Sequence, residues 1–292
     1  MQGQQDSVIS DNFQIMTTPD HTTARQHAHR LLEARATSAQ LPPFSQQGQF
    51  GLQEAYEVSY HLNQIRIDEG ENPLGRKLSL TNRKLWHKYA GEPAHTPIWN
   101  TLFDSTVRFL SETQTWQSLA GAMQPRIAPE LVFRLAHTPP DNASVADIAE
   151  CLEWVAHGME IDVSPYPGWE FSVADAVAAF GMHGTLLIAE PRVLSSSSRT
   201  HLADTLSTAS VSLSCNEHLV AAGFGDQVCD SPVHAIWQLH QELQGQARFP
   251  RLQAGEIVST GSWTDPHPVQ AGEVWSTAFS GISLAGLTIN LV

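Results

Sequence analysis

A chain of 292 residues, 41% hydrophobic and 16% charged, is long enough for one large domain or two and has the composition of a globular protein with a sizeable core. Its formal net charge of −14 argues against nucleic acid or an anionic membrane as partner, since either needs a basic surface, but leaves open a small anion held by local cations or a metal ion. Cys151, Cys215 and Cys229 show no paired or metal-type spacing and no apolar run reaches transmembrane length, so a reducing cytoplasm is the expected compartment.

Residues 1–21, rich in Gln, Asp, Ser and Thr, are expected to be a disordered leader. From Thr22, apolar residues at Ala24, Ala28, Leu31, Leu32 and Ala36 recur at helical spacing. Leu41-Pro42-Pro43-Phe44 breaks the chain, and a second helix is expected over Leu52 to Glu69, with Ala55, Val58, Leu62 and Ile65 on one stripe and Gly70 after its end. Residues 22–72 therefore read as a small helical part.

Residues 73–292 read as a β-rich body. Gly75 to Thr81 alternates like a strand, and Leu131 to Leu135, Leu186 to Ile188, Ala209 to Leu213, Glu256 to Thr260, Val274 to Phe279 and Leu287 to Val292 are further candidates. Two helices interrupt them, Val145 to Val155 (capped by Asn142 or Ser144) and Pro232 to Leu243, and turns are expected at Gly223, Gly225, Gly261 and Gly272. The fold class is α+β, with no internal repeat.

Two acids stand out. Glu130, in Gln124 to Phe133, and Glu160, in Met159-Glu160-Ile161-Asp162, each sit in or beside an apolar, strand-like run. Burying a carboxylate is costly unless it has a partner, so the pair reads as two walls of one polar pocket.

Gly75-Arg76-Lys77, Gln124-Pro125-Arg126, Met159 to Asp162, Asp175 to Ala178, Ser231-Pro232-Val233 and Ser259-Thr260-Gly261-Ser262 occur in an order and spacing that resembles one family. That family is the 2-hydroxypenta-2,4-dienoate hydratases and 4-oxalocrotonate decarboxylases, within the fumarylacetoacetate hydrolase-like superfamily. The resemblance runs from about Thr22 to Val292. It implies a mixed β-roll body with a helical N-terminal part, a homo-oligomer or a complex with a related subunit, and a small 2-oxo or 2-hydroxy-dienoic acid as substrate. It also implies a divalent metal, magnesium or manganese, held by three carboxylates and acting as a Lewis acid in enol–keto chemistry.

Carried over residue by residue, the resemblance assigns metal ligation to Glu130 and Glu160 and catalysis to Lys77, whose pKa burial would lower for proton transfer. Arg76, Trp99, Ser259, Thr260, Gly261 and Ser262 are the implied substrate-binding residues. Three departures matter. The family's Glu-x-Glu motif reads Ala128-Pro129-Glu130, so one ligand is missing and metal binding is weakened or lost. Ile98 stands where the family has a functional acid, and Ala179-Phe180-Gly181-Met182 replaces a polar stretch. Histidine could compensate, and among His95, His183 and His267 the best candidate is His183, just after the Asp175 helix. The first reading is a metal-assisted lyase. The alternative is an altered or non-catalytic member: a partner subunit, or a metal-independent enzyme for a bulkier, apolar substrate lined by Trp99, Phe180 and Met182.

Overall fold

The computed structural model describes residues 21–82 and 97–292; residues 1–20 of the expected leader and His95 lie outside them. Helices α1 (His21–Thr37) and α2 (Leu52–Asp68) pack on each other through small side chains. Ala24, Ala28 and Leu31 of α1 meet the stripe of Ala55, Val58 and Leu62 of α2, and together they form one buried cluster with Phe44 and Tyr166. At the C-terminal end of α2, Arg66 is buried over the Phe103 ring, 4.0 Å away, and donates two hydrogen bonds to Glu71 at 2.8 and 2.7 Å.

The body follows as β1 (Pro73–Ser79), β2 (Ile98–Phe103), β3 (Val107–Phe109), β4 (Gln114–Gln117) and β5 (Arg126–Leu135). Helix α3 (Val145–Cys151) runs directly into β6 (Leu152–Asp162), and α4 (Val173–Ala178) precedes β7 (His183–Ile188) and β8 (Arg192–Val193). Helices α5 (Ser196–Thr200) and α6 (Leu202–Thr208) lead to the hairpin of β9 (Ser210–Cys215) and β10 (His218–Phe224). The chain closes with α7 (Pro232–Gln244), β11 (Ile257–Ser259), β12 (His267–Pro268), β13 (Val274–Ser280) and β14 (Thr288–Leu291). The expected α+β class is found.

Among the described residues the larger sheet runs β2-β1-β11-β5-β6-β7-β3, with β12 on β5 and β8 on β6, and the smaller runs β10-β9-β13-β14-β4. Ile127, Met159, Ile161 and Leu187 of the larger sheet share one core with Leu213, Trp275, Ile289 and Leu291 of the smaller. Farther along the same strands, Val233, Ile236, Leu239 and Leu243 of α7 pack with Phe133, Val155 and Val258.

The helix expected over Val145 to Val155 stops at Cys151. Ser144 caps its start, accepting from the Asp147 N–H at 3.2 Å, as the sequence suggests. Its last expected turn is instead strand, because Val155 pairs with Phe133 and Trp154 with Arg134 and Val193. Gly223 likewise falls inside β10 rather than in a turn. Both differences come from cross-strand partners distant in sequence. No helix among the described residues is long and apolar enough to cross a membrane.

Candidate active site

Strands β5 and β6 pair antiparallel, with Ala128 opposite Glu160 and Glu130 opposite Gly158. Positions two apart on a strand share a face, so Ala128, Glu130 and Glu160 all project to one side. Both carboxylates are fully buried. The turn Ser259 to Ser262 wraps Glu130: the Ser259 hydroxyl donates to Oε2 and the Ser262 hydroxyl to Oε1 at 3.2 Å. Thr260 serves the backbone instead, its N–H and hydroxyl both donating to the Leu131 carbonyl, at 3.0 and 3.1 Å. Gly261 has φ +88°, and a Cβ there would lie 2.1 Å from Thr81 Oγ1, so the turn closes this tightly only with glycine.

Pro129 costs β5 nothing. In an antiparallel strand the N and O of one residue point to the same neighbour, and the Pro129 carbonyl accepts from Trp263 N–H at 3.0 Å. The missing N–H therefore faces the turn between β11 and β12, where no ladder bond is required.

Lys77 of β1 reaches across to these acids. Its Nζ lies 2.7 Å from Glu160 Oε1 and 2.5 Å from Asp162 Oδ1. Asp162, which sequence reasoning gave no role, belongs to the site; its signal was its place two residues beyond Glu160, on the same face of β6. A bulge brings His183 to the same spot. The β6–β7 pairing passes from Ile161 opposite Thr185 to Asp162 opposite His183, and a Cβ on the skipped Gly184 would lie 2.4 Å from the Ile161 carbonyl. Arg35 of α1 holds the bulge by donating to the His183 and Gly184 carbonyls at 3.2 and 3.0 Å. His183 Nδ1 lies 2.6 Å from Glu160 Oε1, and Nε2 lies 2.9 Å from the Thr106 hydroxyl.

Burial sets the electrostatics. It would lower the Lys77 pKa, but Asp162, Glu160 and Glu130 outweigh it and raise the net value, so Lys77 is a fixed ammonium and not a base. Burial, then the charge of Glu160, pushes Glu130 well above the usual carboxylate range. Glu160 is pushed up to about 7, chiefly by burial, with Lys77 pulling the other way. Burial and then Lys77 hold His183 well below the usual histidine value. With a proton on Nδ1, a neutral His183 would donate to Glu160 and accept at Nε2 from Thr106, which orients the carboxylate.

Lys77, Asp162 and Ser262 line a cleft and face Ile98, Trp169, Phe171, Ala176 and Met182, while Glu160 is buried against Lys77. Several expected residues are not brought there. Arg76 points to the opposite side of β1, 3.5 Å from Glu256 Oε1. Trp99, the neighbour of Ile98 on β2, faces the core, stacked on Tyr56 at 5.0 Å and edge-on to Phe249 at 4.7 Å. Phe180 lies beneath the Arg35 guanidinium at 4.8 Å, leaving Gly181 and Met182 as the members of its stretch that line the cleft. His183 is fully enclosed behind Glu160, and His267 pairs with Ile127 on β12.

No protein-family model matches the chain. Among curated proteins it is 25% identical over 260 residues to 2-hydroxyhexa-2,4-dienoate hydratase of Comamonas testosteroni, covering 88% of this chain and 94% of that one. It is also 25% identical over 240 residues to 4-oxalocrotonate decarboxylase of a Pseudomonas species, covering 81% and 86%. Among solved structures, 4-oxalocrotonate decarboxylase from Pseudomonas putida G7, complexed with magnesium and adipate, superposes with a TM-score of 0.82 at 19% identity, over 94% of this chain and 99% of that one. A fumarylacetoacetate hydrolase family protein from Yersinia pestis CO92 superposes with a TM-score of 0.53 at 13% identity, over 74% and 92%. The resemblance to the hydratase and decarboxylase family holds. The fold is fumarylacetoacetate hydrolase-like.

Of the three positions at which the resemblance implies metal ligands, two carry carboxylates here, and their surroundings fit a hard dication in part. Glu160 Oε2 is buried with no hydrogen-bond partner among the described residues, while Lys77 and His183 occupy Oε1. Glu130 faces the same space, its orientation fixed by two hydroxyls. Magnesium is commonly held by one or two carboxylates with water and substrate oxygens completing the shell. Among the described residues, no third His, Cys, Asp or Glu completes a compact ligand group around these two.

Proposed function

We propose that the chain is a lyase of the hydratase/decarboxylase type, acting on a small 2-oxo or 2-hydroxy-dienoic acid with magnesium or manganese held by Glu130 and Glu160. The observation that carries this reading is the charged Lys77, paired with buried Glu160 and with Asp162 and raised in pKa by Glu130 as well, at a cleft with one apolar wall. When bound, the metal would supply Lewis-acid polarisation of the 2-oxo group. The ammonium of Lys77 offers fixed positive charge to a substrate carboxylate or a developing enolate oxygen, with no reorganisation needed at the moment of reaction. His183 and Thr106 hold Glu160, Ser259 and Ser262 hold Glu130, and the apolar wall excludes water.

The same wall supports hydration over decarboxylation. A 4-oxalocrotonate carries a second carboxylate, as the adipate bound to the Pseudomonas putida enzyme does, whereas a hexadienoate ends in an alkyl tail. Ile98, Trp169, Phe171 and Met182 suit the alkyl end, because a carboxylate against them would be desolvated without a partner. The non-catalytic alternative is not favoured, since Lys77 and two of the ligand acids are kept in a single constellation.

The three free cysteines support a cytoplasmic site, and an oligomer is supported by exposed apolar side chains at both edges of the smaller sheet, Leu219 and Phe224 on β10 and Trp116 on β4. The decisive experiment follows the dienol absorbance of 2-hydroxypenta-2,4-dienoate while magnesium is titrated, alongside the melting temperature. Turnover and a magnesium-dependent rise in melting temperature, both lost in Glu130→Ala and Glu160→Ala, are expected. A chain indifferent to magnesium and manganese would refute the metal-assisted reading.

A further inference from the structure

A second constellation of ligand-type side chains lies at the junction of α1 and α2, away from the cleft. His21 opens α1, and Glu57 and His61 stand one helical turn apart on α2, so both project from one face. One nitrogen of each histidine and one oxygen of Glu57 all lie within 4.8 Å of one another. Glu57 Oε1 is the shared point, 2.7 Å from His21 Nδ1 and 3.4 Å from His61 Nε2. The other oxygen is paired with Arg248, whose Nε lies 3.1 Å from Oε2. His61 Nε2 is buried and makes no hydrogen bond among the described residues, although it lies 3.4 Å from this shared oxygen.

We propose that His21, Glu57 and His61 form a binding site for a borderline transition-metal dication of the zinc type, which ties α1 to α2. Two imidazoles and one carboxylate suit such an ion and not magnesium, which prefers oxygen donors. Zinc bonds of about 2.1 Å in tetrahedral geometry place ligand atoms roughly 3.4 Å apart. The His61–Glu57 pair already stands at 3.4 Å, and half-exposed His21 needs only to swing away from its 2.7 Å contact. Arg248 remains on Oε2, fixing the carboxylate as an outer partner does in metal sites. Its Nη2 also lies 3.3 and 3.4 Å from the His21 ring nitrogens, and Arg25 adds positive charge beside His61, so these two cations oppose a dication and limit its affinity. Three protein ligands leave the fourth position to water.

The test is calorimetric titration of the full chain with zinc chloride in saturating magnesium, paired with melting curves. The wild type should bind zinc with a rise in melting temperature. His21→Ala and His61→Ala should each weaken that binding by about tenfold or more, while Glu160→Ala should retain it, which separates this site from the cleft. His21 is half-exposed, so its variant folds even if His61→Ala does not. No zinc binding by the wild type, or equal binding by wild type and His21→Ala, would overturn the proposal.

Discussion

Ala128 stands directly opposite Glu160 in the β5–β6 pair, with its methyl buried on the face that carries Glu130 and Glu160. The register makes this the position from which a third carboxylate would reach the same space. Ala128→Glu should therefore lose about 3 kcal/mol or more of stability in metal-free buffer, because it buries an unpaired charge. Its magnesium-dependent rise in melting temperature should exceed the wild-type rise. An equal or smaller rise would show that position 128 does not face the ion.

Lys77 is the counter-charge to three buried acids. Lys77→Met should abolish turnover and destabilise the chain by about 3–5 kcal/mol, as expected when one partner of a buried ionic cluster is removed. Urea denaturation near neutral pH measures it. A loss under about 1 kcal/mol would mean that the acids are neutral in the native protein and that Lys77 is not their partner.

Gly261 sets how closely the Ser259–Ser262 turn approaches Glu130. Gly261→Ala must place a Cβ on Thr81 Oγ1 at φ +88°, and should cost roughly 1–3 kcal/mol. Ser262 moves with the turn, so the same variant should bind magnesium more weakly. Unchanged stability together with unchanged magnesium affinity would show that the turn has room to relax.

His157, buried against Phe279 at 4.8 Å, governs acid stability from outside the cleft. Burial pushes its pKa down to about 4, with the Ala285 carbonyl opposing the shift. The unfolded chain, with an ordinary histidine pKa of about 6.5, then binds more protons than the native chain between the two values. Stability from this group is complete above about 6.5 and is lost as pH falls towards 4, by about 3 kcal/mol at the lower end. Melting temperatures from pH 7 to pH 4 should fall less steeply in His157→Gln than in the wild type. Parallel slopes would remove His157 as the cause.

Much of this molecule was legible in its residues. The stripes at Ala24, Ala28 and Leu31 and at Ala55, Val58 and Leu62 gave α1 and α2, because helical period and burial coincide there. Glu130 and Glu160 announced themselves as acids in apolar strands, and the Gly-Arg-Lys match pointed to Lys77. Alternation along β1 could also have separated Arg76 from Lys77, since neighbours on a strand face opposite ways.

Determined by the sequence alone are the α+β class, the helical N-terminal part, the resemblance to the hydratases and decarboxylases, and the gap at Ala128. Local periodicity and residue chemistry are enough for these. Only the tertiary structure decided that Ile98 rather than Trp99 faces the cleft, that Lys77 meets Asp162 as well as Glu160, and that His183 is locked behind Glu160. Each depends on sheet register and on the bulge at Gly184, where a shift of one residue exchanges the faces of a strand. Register is fixed by contacts between residues far apart in the chain, which short-range pattern does not encode.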